Sequence, residues 1–363
     1  MNEIGIYVHI PYCASKCKYC SFTSSVNNKT EEQYVSALIN EIKSKRTGEL
    51  VTSVYFGGGT PSVLKNGQIN RILSSIRDNY SISDDCEITV EANPESATDE
   101  FLDECKLSEV NRLSFGLQCA DNEILKKIGR LHTVEQFTEA VNGAKNRGFD
   151  NISGDIIIGL EGENDKTVID SLVLLDSLKI DHVSVYSLSV EKGCIMYTEK
   201  YRPDEDLMAD RYDLCCEFLK KAGYERYEIS NFARNGKVSR HNNKYWTGVD
   251  YLGFGVAAHS LRNGVRSENT SSINKYISGV TTVNEILLTK TDYIEEFIML
   301  GLRLKSGISL SKYYKKFGGR LEEKKAAEIK KLLGSGVIEI VGDYLRATDK
   351  GVYVLNYIIT ELI

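Results

Sequence analysis

Between Ile4 and about Ser189, short β-branched runs alternate with longer amphipathic ones, and this alternation constrains the fold more than any other feature of the chain. Ile4–Ile10, Val51–Phe56, Glu87–Ala92, Arg112–Gln118, Ile152–Ile158 and Val183–Leu188 read as strands. Each reads as apolar on both faces, in the manner of a parallel sheet covered by helices. Between them Glu31–Lys45, Asn66–Tyr80, Asp99–Leu107, Val134–Arg147 and Asp165–Leu178 carry helical periodicity. Strand–helix alternation predicts right-handed βαβ units. About six units are too few for a closed eight-fold barrel, so an α/β fold with a partial barrel is expected.

The pattern loosens after Ser189. A helix over Asp204–Ala222 leads to a strand-like Tyr224–Ile229 and a Gly-, Asn- and aromatic-rich stretch through Ser260. Beyond about Thr291, helical runs at Tyr293–Leu304, Leu310–Phe317 and Leu321–Gly334 precede two short strands, Val337–Ile340 and Tyr344–Ala347. That order suggests a small winged-helix-like domain. The expected division is a barrel over 1–230, a connecting region over 231–290 and a C-terminal domain over 291–363.

Composition excludes several classes. At 42% hydrophobic and 26% charged, the 363 residues are ordinary globular material. A formal charge of −6 supplies no global field toward nucleic acid or anionic lipid. No apolar run reaches the roughly 18 residues needed to cross a bilayer. The start, Met1-Asn2-Glu3-Ile4-Gly5, lacks the basic and apolar segments of a secretory signal. A cytoplasmic protein with reduced thiols is expected, with transient membrane association left open, since nine cysteines fit a disulfide framework poorly.

Three of those cysteines are grouped. Cys13, Cys17 and Cys20 form C-x3-C-x2-C in the loop after the first strand. Thiolates at that spacing suit a soft metal, and a closed zinc site would want a fourth ligand, for which His9 is the nearest choice. A 4Fe–4S cluster on three cysteines instead leaves one iron open to an outside chelate. The remaining six, Cys86, Cys105, Cys119, Cys194, Cys215 and Cys216, show no ligand spacing and read as small core residues.

Further polar signals fall at strand ends, where parallel α/β folds bind ligands. Gly57-Gly58-Gly59-Thr60-Pro61 follows the second strand and Val90-Glu91-Ala92-Asn93-Pro94 closes the third. Gln118 ends the fourth, Arg130 follows the next helix, and Asp155 sits inside the apolar fifth strand. A buried hydrogen-bond network inside the barrel would explain Glu91, Gln118 and Asp155 singly. Their recurrence on successive strands favours a shared ligand.

The segment Tyr7-Val-His-Ile-Pro-Tyr-Cys13-Ala-Ser-Lys-Cys17-Lys-Tyr-Cys20 resembles the cluster loop of radical S-adenosylmethionine (SAM) enzymes. More narrowly, it is similar to the group of oxygen-independent coproporphyrinogen III oxidases and the related HemW heme chaperones. The resemblance implies a radical SAM partial (β/α)6 barrel, a 4Fe–4S cluster on Cys13, Cys17 and Cys20, and SAM on the open iron. It also implies SAM contacts at Tyr7, Tyr19, Gly58, Gly59, Thr60, Glu91, Gln118, Arg130, Asp155 and Ser189, with His259 near that pocket. Cys119 departs from the serine usual after the glutamine.

Three features favour the chaperone side of this group. Ser21 and Phe22 follow Cys20, so the oxidase's further cysteine is missing. The chain begins a few residues before its first strand, whereas the oxidase carries a long N-terminal extension. His241-Asn242-Asn243-Lys244-Tyr245-Trp246 matches the H-N-x-x-Y-W motif linked to heme in the chaperones. That implies heme contacts at His241, Asn242, Tyr245 and Trp246, with the imidazole a plausible axial ligand. A turn histidine beside core aromatics explains the same residues. The implied partners are heme-accepting proteins and a low-potential electron donor such as flavodoxin or ferredoxin. Coproporphyrinogen oxidation is the alternative activity. A cluster-containing DNA-binding regulator is a third, resting on Lys312, Lys315, Lys316, Lys324, Lys325, Lys330 and Lys331. Interleaved Glu322, Glu323 and Glu328 make a solvated face the better reading of that charge, and nucleic acid an unfavoured partner.

Overall fold

Six parallel strands in chain order form the centre of the computed structural model, which describes residues 3–363. Met1 and Asn2, part of the start read above for a secretory signal, lie outside the described residues. The strands are β1 (Glu3–Ile10), β2 (Leu50–Gly58), β3 (Ser81–Ala92), β4 (Arg112–Gln118), β5 (Ile152–Ile158) and β6 (His182–Ser187). Each is reached from the one before through at least one helix, as the alternation predicts. Helix starts follow local chemistry: Thr133 with Gln136, and Asn164 with Thr167, form reciprocal caps that satisfy otherwise orphaned amides.

The strands differ from expectation in one respect that decides the function. Ile4, Ile6, Val8 and Ile10 are fully buried and share a core with Val35, Leu38 and Ile42 of the helix Glu31–Ser44. The intervening inward positions are polar: Ser53 and Tyr55 on β2, Glu87 and Glu91 on β3, Arg112 on β4, Ser153 and Asp155 on β5, His182 on β6. They bond to one another along and between neighbouring strands, for example Tyr55 to Glu91 and Ser153 to both Asp155 and His182. The expectation of two apolar faces is therefore corrected to one. Glu91 and Asp155 line a cavity at the barrel mouth, while the lower positions are buried in a polar network inside the barrel.

Residues 231–290 continue this same sheet. β7 (Glu225–Arg226) and β8 (Asn231–Ala233) add antiparallel strands beyond β6. On the other edge β9 (Tyr251–Phe254) pairs parallel with β1, with Gly5 opposite Tyr251. β10 (His259–Arg262), β11 (Val265–Asn269) and β12 (Thr282–Leu287) then extend it to 12 strands. The expected strand Tyr224–Ile229 shrinks to β7.

The C-terminal unit has β13 (Ile308–Ser309), β15 (Tyr344–Ala347) and β14 (Ile338–Val341) in that spatial order, with the helices Leu310–Phe317 and Ala326–Gly334 packed on them. Its helix–helix–hairpin order is winged-helix-like. The expected helix Leu321–Gly334 is split into Leu321–Lys324 and Ala326–Gly334 by a non-helical Lys325. Among the described residues no helix is long and apolar enough to cross a membrane.

A buried carboxylate fastens the β9–β11 side to the barrel. Glu41, 3% exposed, accepts hydrogen bonds from Gly255 N at 2.9 Å, Asn269 Nδ2 at 2.7 Å, Tyr276 Oη at 2.5 Å and Lys45 Nζ at 2.7 Å. Glu41→Leu would leave Gly255 N and Tyr276 Oη unpaired in a dry site. It should lower unfolding stability by about 3 kcal/mol, read as a lower urea midpoint. A change within about 0.5 kcal/mol, the ordinary effect of a surface substitution, would contradict this role.

Candidate cofactor site at the barrel mouth

The loop after β1 is tied into a lasso. Ser25 N donates to Pro11 O at 2.7 Å and Cys13 N to Ser25 O at 3.1 Å. Tyr12 is buried edge-on against Tyr34, anchoring the strand end. Inside the lasso Cys13, Cys17 and Cys20 are half-buried free thiols. Of the other cysteines, five are fully buried and Cys216 is intermediate. Burial raises the Cys13 and Cys20 thiols, while the Arg130 guanidinium lies 3.8 Å from Cys17 Sγ.

The glycine run fits against this loop. Gly59 N donates to Ile10 O and Thr60 N to Tyr12 O, both at 2.7 Å. A Cβ on Gly59 would lie 2.7 Å from Tyr12 O and 3.0 Å from Cys13 Sγ. Gly58 has φ +106°, and a Cβ there would meet the His9 ring at 2.5 Å. Glycine is required at both positions. Thr60 Oγ1 donates to Cys13 Sγ at 3.4 Å and accepts from Asn93 Nδ2 at 3.2 Å.

His9 does not complete a zinc site. Its Nδ1 meets Tyr7 Oη at 3.2 Å and its Nε2 meets Thr23 O at 2.9 Å, so both ring nitrogens are engaged. Among the described residues no three His, Cys, Asp or Glu side chains converge on a single ion. Thiols this soft without a fourth protein ligand suit a multi-iron cluster, whose irons hold their cysteines apart.

The three cysteines open into a cavity of about 460 Å³. The same cavity is lined by Tyr19, Gly58, Gly59, Thr60, Glu91, Gln118, Arg130, Asp155 and Ser189. Two sequence-predicted residues stand outside it. Tyr7 lies beneath, stacked on Tyr55 at 6.3 Å. His259 is exposed on β10, beyond β9 on the far side of β1, and does not line the pocket. Gln118 holds φ +68° where the β4–β5 register shifts, a strained conformation of the kind that clusters at ligand sites. Arg130 is fixed by Asn93 Oδ1 at 2.8 Å and Gly116 O at 2.9 Å.

Tyr55, Asn93, Ser114 and Tyr186 escaped the sequence reading although Asn93, Ser114 and Tyr186 line the pocket. The inward alternation Ser53-Tyr55-Gly57 was the available signal. Tyr55 Oη donates to Glu91 Oε1 at 2.6 Å. Burial, reinforced by the Asp155 charge, pushes the Glu91 carboxyl up to about 7 against that bond. Burial also raises Asp155, which accepts from Ser114 and Ser153 at 3.1 Å each.

The floor of the barrel is the helix Arg240–Thr247. Glu87 accepts from Arg240 N at 3.1 Å and His241 N at 2.9 Å, placing a carboxylate on the helix N-terminus. His241 is 1% exposed and stacks on Tyr55 with ring centroids 5.1 Å apart. Its Nδ1 meets Ser53 Oγ and its Nε2 meets Tyr245 Oη, both at 2.9 Å. Burial holds the imidazole down at about 3, so it is neutral. Both ring nitrogens of His241, the residue expected as an axial ligand, are here engaged with the barrel floor. Asn242 is half-buried on the same turn, and Trp246 turns away toward the C-terminal unit.

Barrel and site together define a radical SAM protein. The Radical SAM superfamily model matches residues 7–175, and the HemN C-terminal domain model matches residues 288–354. The heme chaperone HemW of Lactococcus lactis subsp. lactis (strain IL1403) is 36% identical over 354 residues, covering 95% of this chain and 93% of that protein. The HemW of Bacillus subtilis (strain 168) is 34% identical over 361 residues, covering 95% of each. The coproporphyrinogen III oxidase HemN of Escherichia coli superposes with a TM-score of 0.87 over 99% of this chain and 90% of its own, at 23% identity, a likeness of fold alone. The chain belongs to the HemW family of radical SAM proteins, a membership that implies a 4Fe–4S cluster and SAM as cofactors.

SAM carries a cationic sulfonium, which an ionised Glu91 attracts and a protonated one does not. Binding should therefore release a proton. SAM affinity, measured by equilibrium dialysis, should fall by up to about tenfold per pH unit below about 7 and level off above it. Glu91→Gln should bind weakly at all pH with that slope removed. The parental slope persisting in Glu91→Gln would contradict the assignment.

Proposed function

We propose that this protein is a heme chaperone that carries a 4Fe–4S cluster on Cys13, Cys17 and Cys20, takes SAM beside it, and passes heme to heme-accepting proteins. The observation that carries this reading is likeness to HemW heme chaperones along nearly the whole of both chains. The oxidase likeness, at 23% identity, extends to the fold only.

In this reading the chain divides functionally into a cofactor barrel over 1–230, a heme-motif region and connector over 231–290, and a C-terminal domain over 291–363. When bound, cluster and SAM supply one-electron reductive cleavage of the sulfonium. The chain's own residues position and shield. Gly58 and Gly59 let the end of β2 close against His9 and the cluster loop, and Thr60 orients Cys13. Glu91 and Asp155 supply negative charge, with Gln118, Tyr19 and Ser189 on the surrounding wall. Arg130, beside Cys17, balances thiolate charge. A low-potential donor such as flavodoxin or ferredoxin fits the chemistry, as does a cytoplasmic setting that keeps nine thiols reduced.

The test is a pair of anaerobic assays on cluster-reconstituted protein. Heme should bind saturably and move to an apo-hemoprotein, followed by its absorbance shift. Coproporphyrinogen III supplied with SAM and reductant should stay unchanged. Conversion of its propionates to vinyl groups, without heme transfer, would overturn the chaperone reading in favour of the oxidase.

A further inference from the structure

The junction between the main sheet and the C-terminal unit holds a second, shallow groove, open on one side, with a volume of about 170 Å³. It shares no residue with the barrel-mouth cavity. Trp246 and Leu261 line it, together with Phe297 and Leu300 from the helix Lys290–Gly301. The groove is thus apolar with aromatic faces, as a flat macrocycle requires.

Its rim carries Lys312 and Lys316. They stand four residues apart on the helix Leu310–Phe317, hence on one face and about one 5.4 Å turn from each other. Among the described residues neither ammonium has a carboxylate partner within ion-pair distance. Lys316 Nζ lies 5.4 Å from the Tyr293 ring and 5.9 Å from that of Phe297. The one acid on the lining, Glu296, is already neutralised by Arg266, which donates to both its oxygens at 2.6 and 3.0 Å. Two adjacent cations beside an apolar slot match a flat ligand bearing two carboxylates on one edge.

The heme motif connects to this groove by helix geometry. Successive residues of a helix point about 100° apart, so Tyr245 can bond His241 inside the barrel while Trp246 faces the groove. Trp246 Nε1 is buried without a partner, and the Arg303 guanidinium covers its ring at 4.6 Å. Tyr293 and Tyr344 also line the groove and bring phenol oxygens, a known class of heme-iron ligand.

We propose that this groove is the heme seat, with one edge of the macrocycle against the aromatic lining that includes Trp246 and Phe297 and its two propionates on Lys312 and Lys316. The inference rests on the heme-chaperone reading and replaces His241 as the point of contact. Both lysines are exposed, so their replacement spares the core.

The test titrates heme and its propionate dimethyl ester into cluster-reconstituted full-length protein, read by heme absorbance. Lys312→Glu/Lys316→Glu is compared with a charge-matched control, Lys330→Glu/Lys350→Glu, on exposed positions outside the groove. Cluster absorbance and SAM binding confirm that each variant is intact. The parent and the control should prefer heme to the diester by tenfold or more. Lys312→Glu/Lys316→Glu should weaken heme at least tenfold and abolish the preference. Saturable heme binding that is equal in parent and Lys312→Glu/Lys316→Glu would overturn the groove while leaving the chaperone reading intact. Failure of the parent to bind heme at all would remove both.

Discussion

A carboxylate on a helix N-terminus holds this barrel together from below. Glu87, on an inward position of β3, takes the first backbone amides of Arg240–Thr247 and so fixes that helix across the open end of the strands. Polar inward positions cannot be packed as an oily core, and each buried charge needs a partner. The helix supplies several. His241 pairs with Ser53 and Tyr245, and Lys244 reaches Thr52 at 2.6 Å and Glu3 at 3.2 Å. Above it the stacked His241–Tyr55 pair supports the hydroxyl that holds Glu91 in the cofactor cavity.

The two ends of the barrel are therefore linked through side chains a few ångströms apart. The H-N-x-x-Y-W motif lies along that link rather than on one surface. His241 and Tyr245 belong to the barrel floor, and Trp246 belongs to the junction with the C-terminal unit. One short helix thus touches both the support of the SAM cavity and the wall of the second groove.

Much of this was legible in the sequence. β4 and β5 run over Arg112–Gln118 and Ile152–Ile158 as the periodicity predicts, because their outward residues are unbroken apolar series. The cysteine spacing and the strand-end polar residues were legible because their chemistry is local. The polar lining was harder to see. Glu87, Thr89 and Glu91 alternate with Ile88 and Val90, but at the β-branched end of a strand that pattern is masked by burial on both faces. β9 was invisible: four residues containing a glycine become a strand only because β1 offers a free edge. His259 and His241 lie away from the cavity and from solvent, respectively, in ways the motif alone does not show. A motif fixes which residues are near in sequence, whereas the sheet order and the helix rotation decide what they face.

The account stands on three thiols that would hold a cluster at the mouth of the cavity lined by Glu91 and Gln118. The most direct measurement is electron paramagnetic and double resonance of the reduced cluster in the reconstituted protein, with SAM isotopically labelled at its amino nitrogen. The account predicts a spectrum that changes on adding SAM and shows hyperfine coupling to that nitrogen. An unchanged spectrum without coupling, in protein that carries a full cluster, would contradict it.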